Sequence, residues 1–181
     1  VAGQPAYTET SFDETWEQPW GEQRFIRNNY KELALKTDAY TIRFRLFDDS
    51  LGWRYELHGE GELQIQKELS EFNIDSKSNA WWIPALGSNH YAHLYQRTVL
   101  TDIDTAHTPL TIELPDTTYL AIHEAALYNY GSMNLIPTEN GLTSLITPRT
   151  DGTAAHVTLP FHSPWRTVIV SETAVGLGNS K

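Results

Sequence analysis

The sequence predicts an all-β domain, and three observations carry that expectation. Apolar residues recur with a period of two between Glu22 and Leu114, turn-forming residues separate the alternating runs, and no segment sustains a capped i, i+3, i+4, i+7 apolar stripe. The clearest alternation is TIRFRLF. Ile42, Phe44 and Leu46 share one face and Thr41, Arg43 and Arg45 the other, as in a half-buried antiparallel strand. FDDSLG then supplies turn residues, and GWRYELH resumes with Trp53 and Tyr55 set against Arg54 and Glu56. This pattern predicts a hairpin from about Tyr40 to Leu57.

The remaining elements follow in chain order. RFIRNNYKELAL precedes the hairpin, and NAWWIP, YAHLYQRTVL, PLTIEL, TYLAIHEAAL, LTSLITP, AHVTLP and WRTVIVSE come after it. Each is rich in β-branched or aromatic residues and bounded by turn chemistry, a spacing that suits a sandwich or a barrel. Two stretches, NNYKELALK and HEAALY, are compatible with a helix but short. The ends, VAGQPAYTET and GLGNSK, read as loose, and no repeat, low-complexity tract or linker interrupts the chain.

At 181 residues the chain suits one domain with its own core. With 13 Lys plus Arg against 23 Asp plus Glu, its net charge of -10 would repel a nucleic-acid duplex or an anionic membrane. The lack of cysteine excludes disulfides, thiolate metal sites and cysteine nucleophiles. No apolar run approaches the length of a membrane span, and the N-terminal stretch has no basic start followed by an apolar run.

The most suggestive chemistry lies in YLAIHEAALYNY, Tyr119 to Tyr130. HEAAL is four-fifths of the HExxH zinc-protease motif, but Leu127 occupies the place of the second histidine, so the metal-binding pair is missing. Pro115 and Asp116 just upstream favour a hairpin instead of a helix. On a strand, Leu120, Ile122 and Glu124 face one way, and Tyr119, Ala121 and His123 the other. A carboxylate sharing a face with two large aliphatic side chains is costly without a partner. Either that end of the strand leaves the core, or Glu124 meets a cation, a donor cluster or a metal.

Other constellations are weaker. Trp81 and Trp82 are adjacent, so on a strand one can be buried while the other offers its ring at a groove as a sugar platform. Asp102 with Asp104, and Asp48 with Asp49, read as solvated loop acids without a calcium-loop frame. His90 and His93 have a helical ligand spacing in what reads as a strand. No G-x-S-x-G elbow marks a nucleophile, and nothing in the chain makes a self-sufficient active site.

Five motifs in one order, DETWEQPWGEQRFIRNNYKEL, FRLFDDSLGWRYEL, SEFNIDSKSNAWWIP, YLAIHEAAL and PFHSPWRTVIV, resemble the N-terminal domain of family 97 of the glycoside hydrolases, bacterial α-glucosidases and α-galactosidases. The resemblance runs from about Asp13 to the C-terminus. It implies an antiparallel β-super-sandwich of the galactose-mutarotase-like kind, here lacking its first strands and spanning 1–181 as a partial domain. A catalytic (β/α)8 barrel is expected after Lys181.

The resemblance further implies a calcium-dependent, exported or periplasmic exo-α-glycosidase whose catalytic carboxylates lie in the barrel, acting on an α-linked oligosaccharide. In the family one calcium ligand comes from the N-terminal domain, and by position that role passes to Glu124. Asn28, Asn29, Glu71, Asn73, Trp81 and Trp82 match the motifs and are candidates for the substrate pocket or the domain interface, each with a structural role as the alternative. A free-standing carbohydrate-binding sandwich and a purely structural interaction domain are the competing functions.

Overall fold

Alternation organises the backbone almost throughout. The computed structural model describes residues 6–87 and 92–180. Its strands are β1 (Ala6–Glu17), β2 (Phe25–Lys36), β3 (Tyr40–Leu46), β4 (Ser50–Ile65), β5 (Glu71–Asn73), β6 (Asn79–Trp82) and β7 (Gln96–Val99). After a 3-10 turn at Leu100–Asp102 come β8 (Ala106–His107), β9 (Leu110–Glu113), β10 (Tyr119–Ala125), β11 (Met133–Thr138), β12 (Gly141–Ile146), β13 (Ala155–His162) and β14 (Trp165–Ser171). A short helix, α1 (Ala174–Gly178), closes the described chain.

The strands form two sheets. The larger runs β1-β2-β3-β4-β14-β10-β9-β6-β7, with β13 also on β4, and the smaller runs β5-β12-β11-β8. Every pairing in them is antiparallel. The predicted all-β sandwich is what the chain forms. Phe72, Met133, Leu135, Leu142 and Ile146 from the small sheet close on Ala80, Trp82, Leu110, Ile112 and Ile122 from the large one. Trp53 packs against this core from β4, and its ring lies 5.4 Å from that of Phe72. Burial of these apolar side chains is the main force joining the layers.

The predicted hairpin is β3 and β4, with Phe44 opposite Trp53 and Ile42 opposite Tyr55. Strand β4 continues well beyond Leu57 as the partner of β13, and Gly59 and Gly61, with positive φ values of 107° and 93°, lie where that pairing shifts register. Its first part pairs with β14 and its second with β13, around a register shift between Leu159 and Phe161. Both helix-compatible stretches are strand, NNYKELALK within β2 and the start of HEAALY within β10.

Two expectations about the ends are corrected. The stretch read as loose at the N-terminus becomes strand from Ala6, because β1 pairs with β2 along all twelve of its residues. Within GLGNSK, Gly176 to Gly178 lie in α1, which Thr173 caps by accepting a hydrogen bond from the Gly176 amide on its side chain. Among the described residues of YAHLYQRTVL strand is confined to β7, and the expectation for His90 lies outside the described residues.

Candidate functional site: two buried carboxylates around Arg166

The site begins with a cross-strand pair. Glu124 on β10 stands directly opposite Arg166 on β14, both on the face that carries Ile122 and Val168 towards the small sheet. Arg166 is wholly buried, with 0% side-chain exposure, and Glu124 retains only 8%. The Arg166 Nη1 donates to Glu124 Oε2 at 2.6 Å. The Met133 amide, at the start of β11, donates to both oxygens of the same carboxylate at 3.1 and 3.2 Å. Glu124 therefore meets a cation and a backbone donor, and it ties the large sheet to the first residue of the facing one.

Arg166 has a second acid. Its Nε and Nη2 form a fork onto the Glu68 oxygens at 2.7 and 2.6 Å, and Glu68 keeps 5% exposure. Glu68 lies between β4 and β5 and also accepts from Ser70 Oγ at 2.8 Å and Tyr130 Oη at 3.1 Å. The Tyr130 ring lies 5.7 Å from the guanidinium carbon. Burial alone pushes the Glu68 carboxyl up, but the hydrogen bonds and charge of Arg166, with Ser70 and Tyr130, outweigh it and hold the group below the usual carboxylate range. Burial and the adjacent Glu68 charge push the Tyr130 phenol up, so it stays a donor.

The loop from Ala126 to Ser132 carries Tyr130 into place. Ala126 and Asn129 have positive φ values of 54° and 52°, uncommon for residues with side chains. A Cβ on Gly131 would overlap the Thr147 carbonyl, so this close passage requires glycine. Leu127 and Tyr128 on the same loop are exposed.

Two carboxylates against one guanidinium leave the cluster with one surplus negative charge. Glu124 Oε2 is engaged by the arginine, whereas Oε1 accepts only the amide hydrogen that both oxygens share. A carboxylate oxygen has two lone-pair directions, so Oε1 keeps acceptor capacity. Calcium takes about six to eight oxygen ligands. Among the described residues no three His, Asp or Glu side chains gather to hold a metal ion. The described residues thus offer one carboxylate oxygen with spare acceptor capacity.

The other sequence candidates are spread over three strands. Asn28 and Asn29 lie on β2, opposite Glu14 and Asp13 of the edge strand. Glu71 and Asn73 flank buried Phe72 on β5, both exposed. Trp81 and Trp82 divide as strand parity requires. Trp82 is buried, its indole donating to Thr98 Oγ1 at 3.0 Å, while Trp81 faces outward with the Arg97 guanidinium 4.9 Å from its ring. His123 is exposed on the face opposite Glu124.

Sequence reasoning missed Arg166, Glu68, Ser70 and Tyr130. Arg166 was detectable: in WRTVIV it shares parity with Val168 and Val170, the same argument that singles out Glu124. Glu68 gives no such signal, because it lies in a loop and meets Arg166 across 98 residues of sequence.

A glycoside hydrolase family 97 enzyme from Pseudoalteromonas sp. strain K8, solved in complex with acarbose, superposes with a TM-score of 0.91 at 36% identity. The superposition covers 97% of this chain and 28% of that one. A variant of that enzyme in complex with panose gives the same values. A β-arabinopyranosidase, 17% identical over 92% of this chain and 31% of its own, shares the fold with a TM-score of 0.81. The chain thus spans little more than a quarter of the K8 enzyme. Residues 5–181 match the family described as Glycosyl-hydrolase 97 N-terminal, and the chain belongs to that family.

Proposed function

We propose that this domain is the non-catalytic N-terminal part of a calcium-dependent, exo-acting α-glycosidase. It packs on a catalytic barrel in the same polypeptide and completes the site there by lending Glu124 to a calcium ion. The observation that carries the reading is the Glu124 carboxylate: a buried acid with one oxygen fixed by Arg166, the other open to a further ligand, and a surplus negative charge in the cluster. A hard cation is the partner such an oxygen suits, and a partner domain would supply the remaining ligands. Membership of the family and the carbohydrate complexes of the K8 enzyme support an α-linked oligosaccharide as the substrate class.

The same reading divides the labour between two domains. The catalytic acid and its partner carboxylate belong to the barrel, where glycoside hydrolysis passes through an oxocarbenium-like transition state. Bound calcium would supply charge stabilisation and orientation there. This chain's residues hold one carboxylate still, with the Arg166 guanidinium and the Met133 amide as its donors.

The test is hydrolysis of aryl α-glucosides and α-galactosides by the full-length polypeptide, before and after chelation. The expected result is loss of activity on chelation, recovery with added calcium, and no recovery in Glu124→Gln. Activity indifferent to chelation would sink the reading.

A further inference from the structure

Glu68 keeps only 5% side-chain exposure and reaches Glu124 only through Arg166, which it holds in place. Resting on the reading of Glu124 as a calcium ligand, we propose that Glu68 is a positioning residue for that ligand, acting through Arg166. The guanidinium has two edges. Glu68 occupies the Nε–Nη2 edge with both of its oxygens, which fixes the plane and leaves Nη1 as the only terminal nitrogen directed at Glu124. Ser70 and Tyr130 in turn fix Glu68, one on each oxygen. The order is Ser70 and Tyr130, then Glu68, then Arg166, then Glu124, with each link a hydrogen bond of 2.6 to 3.1 Å.

The arrangement distinguishes the two Glu124 oxygens. Arg166 takes Oε2, the Met133 amide bridges both, and Oε1 is left with capacity for a cation on the side away from the guanidinium. Glu68 has a second effect. Its charge offsets that of Arg166, so the arginine can hold Glu124 without presenting an uncompensated positive charge to an incoming cation. Without Glu68, the guanidinium would be free to turn both donors of another edge onto Glu124 and close Oε1, as bidentate arginine–carboxylate pairs do. Groups that orient a metal ligand in this way typically cost about 10–100-fold in metal affinity when removed.

Calcium affinity of the full-length polypeptide, measured by titration calorimetry with calcium alone, separates this from a purely structural clamp. Glu124→Gln should weaken binding by about tenfold or more, and Glu68→Gln by about tenfold with Glu124 intact. Arg166→Lys, which keeps the charge and loses the fork, should weaken it to a similar extent. Tyr130→Phe and Ser70→Ala remove one hydrogen bond each and serve if Glu68→Gln does not fold. Each should lower affinity by a few-fold, and together by more. If these variants lower the unfolding temperature while the calcium Kd stays fixed, Glu68 is structural only and the proposal fails. If Glu124→Gln itself leaves the Kd unchanged, the reading of Glu124 as a ligand fails instead, and the two failures are told apart within one titration series.

Discussion

Two carboxylate–guanidinium networks lie on opposite faces of the same sheet. Inside, Glu68 and Glu124 share Arg166, whose side chain has no exposure. Outside, Glu32 and Glu56 meet Arg43, Arg45 and Arg54, whose side chains keep 21–29% exposure. The inner set has two acids to one base; the outer has two acids to three bases, with Arg45 and Arg54 also stacked on Trp165. The outer residues are near neighbours on β2, β3 and β4, and although Glu32 and Glu56 keep only 13% and 11% exposure their three arginines are still wetted, so losing one member lets water and the others compensate. The inner residues come from two strands and a loop and have little water to fall back on. Burying ions gains little net stability, because desolvation cancels most of the attraction, while breaking such a set is expensive. The inner network is thus better understood as fixing a position than as a source of stability.

The largest effect that separates the two regions is expected from Arg166→Met. It leaves two buried carboxylates facing each other, and should cost about 3–5 kcal/mol of unfolding free energy in urea. A loss under about 1 kcal/mol would mean that water reaches the cluster and would remove the distinction between the two networks. Glu56→Gln on the outer face should cost less, about 1.5–3 kcal/mol, because it loses charge-assisted hydrogen bonds that solvent partly replaces.

The outer network also sets a pH window. Hydrogen bonds from Arg43, opposed by burial and helped by Arg54, bring the Glu56 carboxyl down to about 2 from its ordinary value of 4.5. The folded state holds its proton less tightly than the unfolded chain, so this contribution is fully present above about pH 4.5 and is lost as pH falls towards 2. Glu32 is lowered too, with burial opposing the hydrogen bonds and charges of Arg45 and Arg43. Unfolding midpoints measured from pH 6 to pH 2 should fall through that window, and Glu56→Gln should flatten the fall. An unchanged slope in the variant would place the acid sensitivity elsewhere, with Glu68 the next group to test, since its carboxyl is also held low.

The two regions also differ in how far sequence alone revealed them. All of the outer set but Glu32 was legible as the polar parity of TIRFRLF and WRYELH, because these members alternate along consecutive strands and their pairing follows from one hairpin register, while Glu32 joins through the register of β2 with β3. Half of the inner pair was legible: parity placed Glu124 on an apolar face and demanded a partner. The partner itself is a fact of topology, since β14 pairs with β10 more than forty residues later and no local pattern encodes which strand becomes the neighbour. The division between Trp81 and Trp82 follows the same parity. The first five residues of β1, AYTET, read as loose because they are rich in Thr and poor in aliphatics, yet their backbone pairs fully with β2. β11 was missed because MNLIPT is short and contains proline, and it is held by packing Met133 and Leu135 into the core rather than by propensity.

The smallest effect is expected at a third ion pair, which tests whether exposure, not geometry, governs the difference. Asp13 on β1 and Arg27 on β2 make two hydrogen bonds, 2.9 and 2.7 Å, as well formed as the fork between Arg166 and Glu68. Their side chains keep 54% and 64% exposure. Hydrogen bonding by Arg27 lowers the Asp13 carboxyl, but bulk water solvates both groups equally well once they separate. Arg27→Ala should therefore leave the urea midpoint within experimental error, and 1 M salt should change the parent and the variant alike, because the Debye length there is only about 3 Å. If Arg27→Ala instead destabilised the chain as much as Arg166→Met, bidentate geometry would be the controlling variable and burial would not.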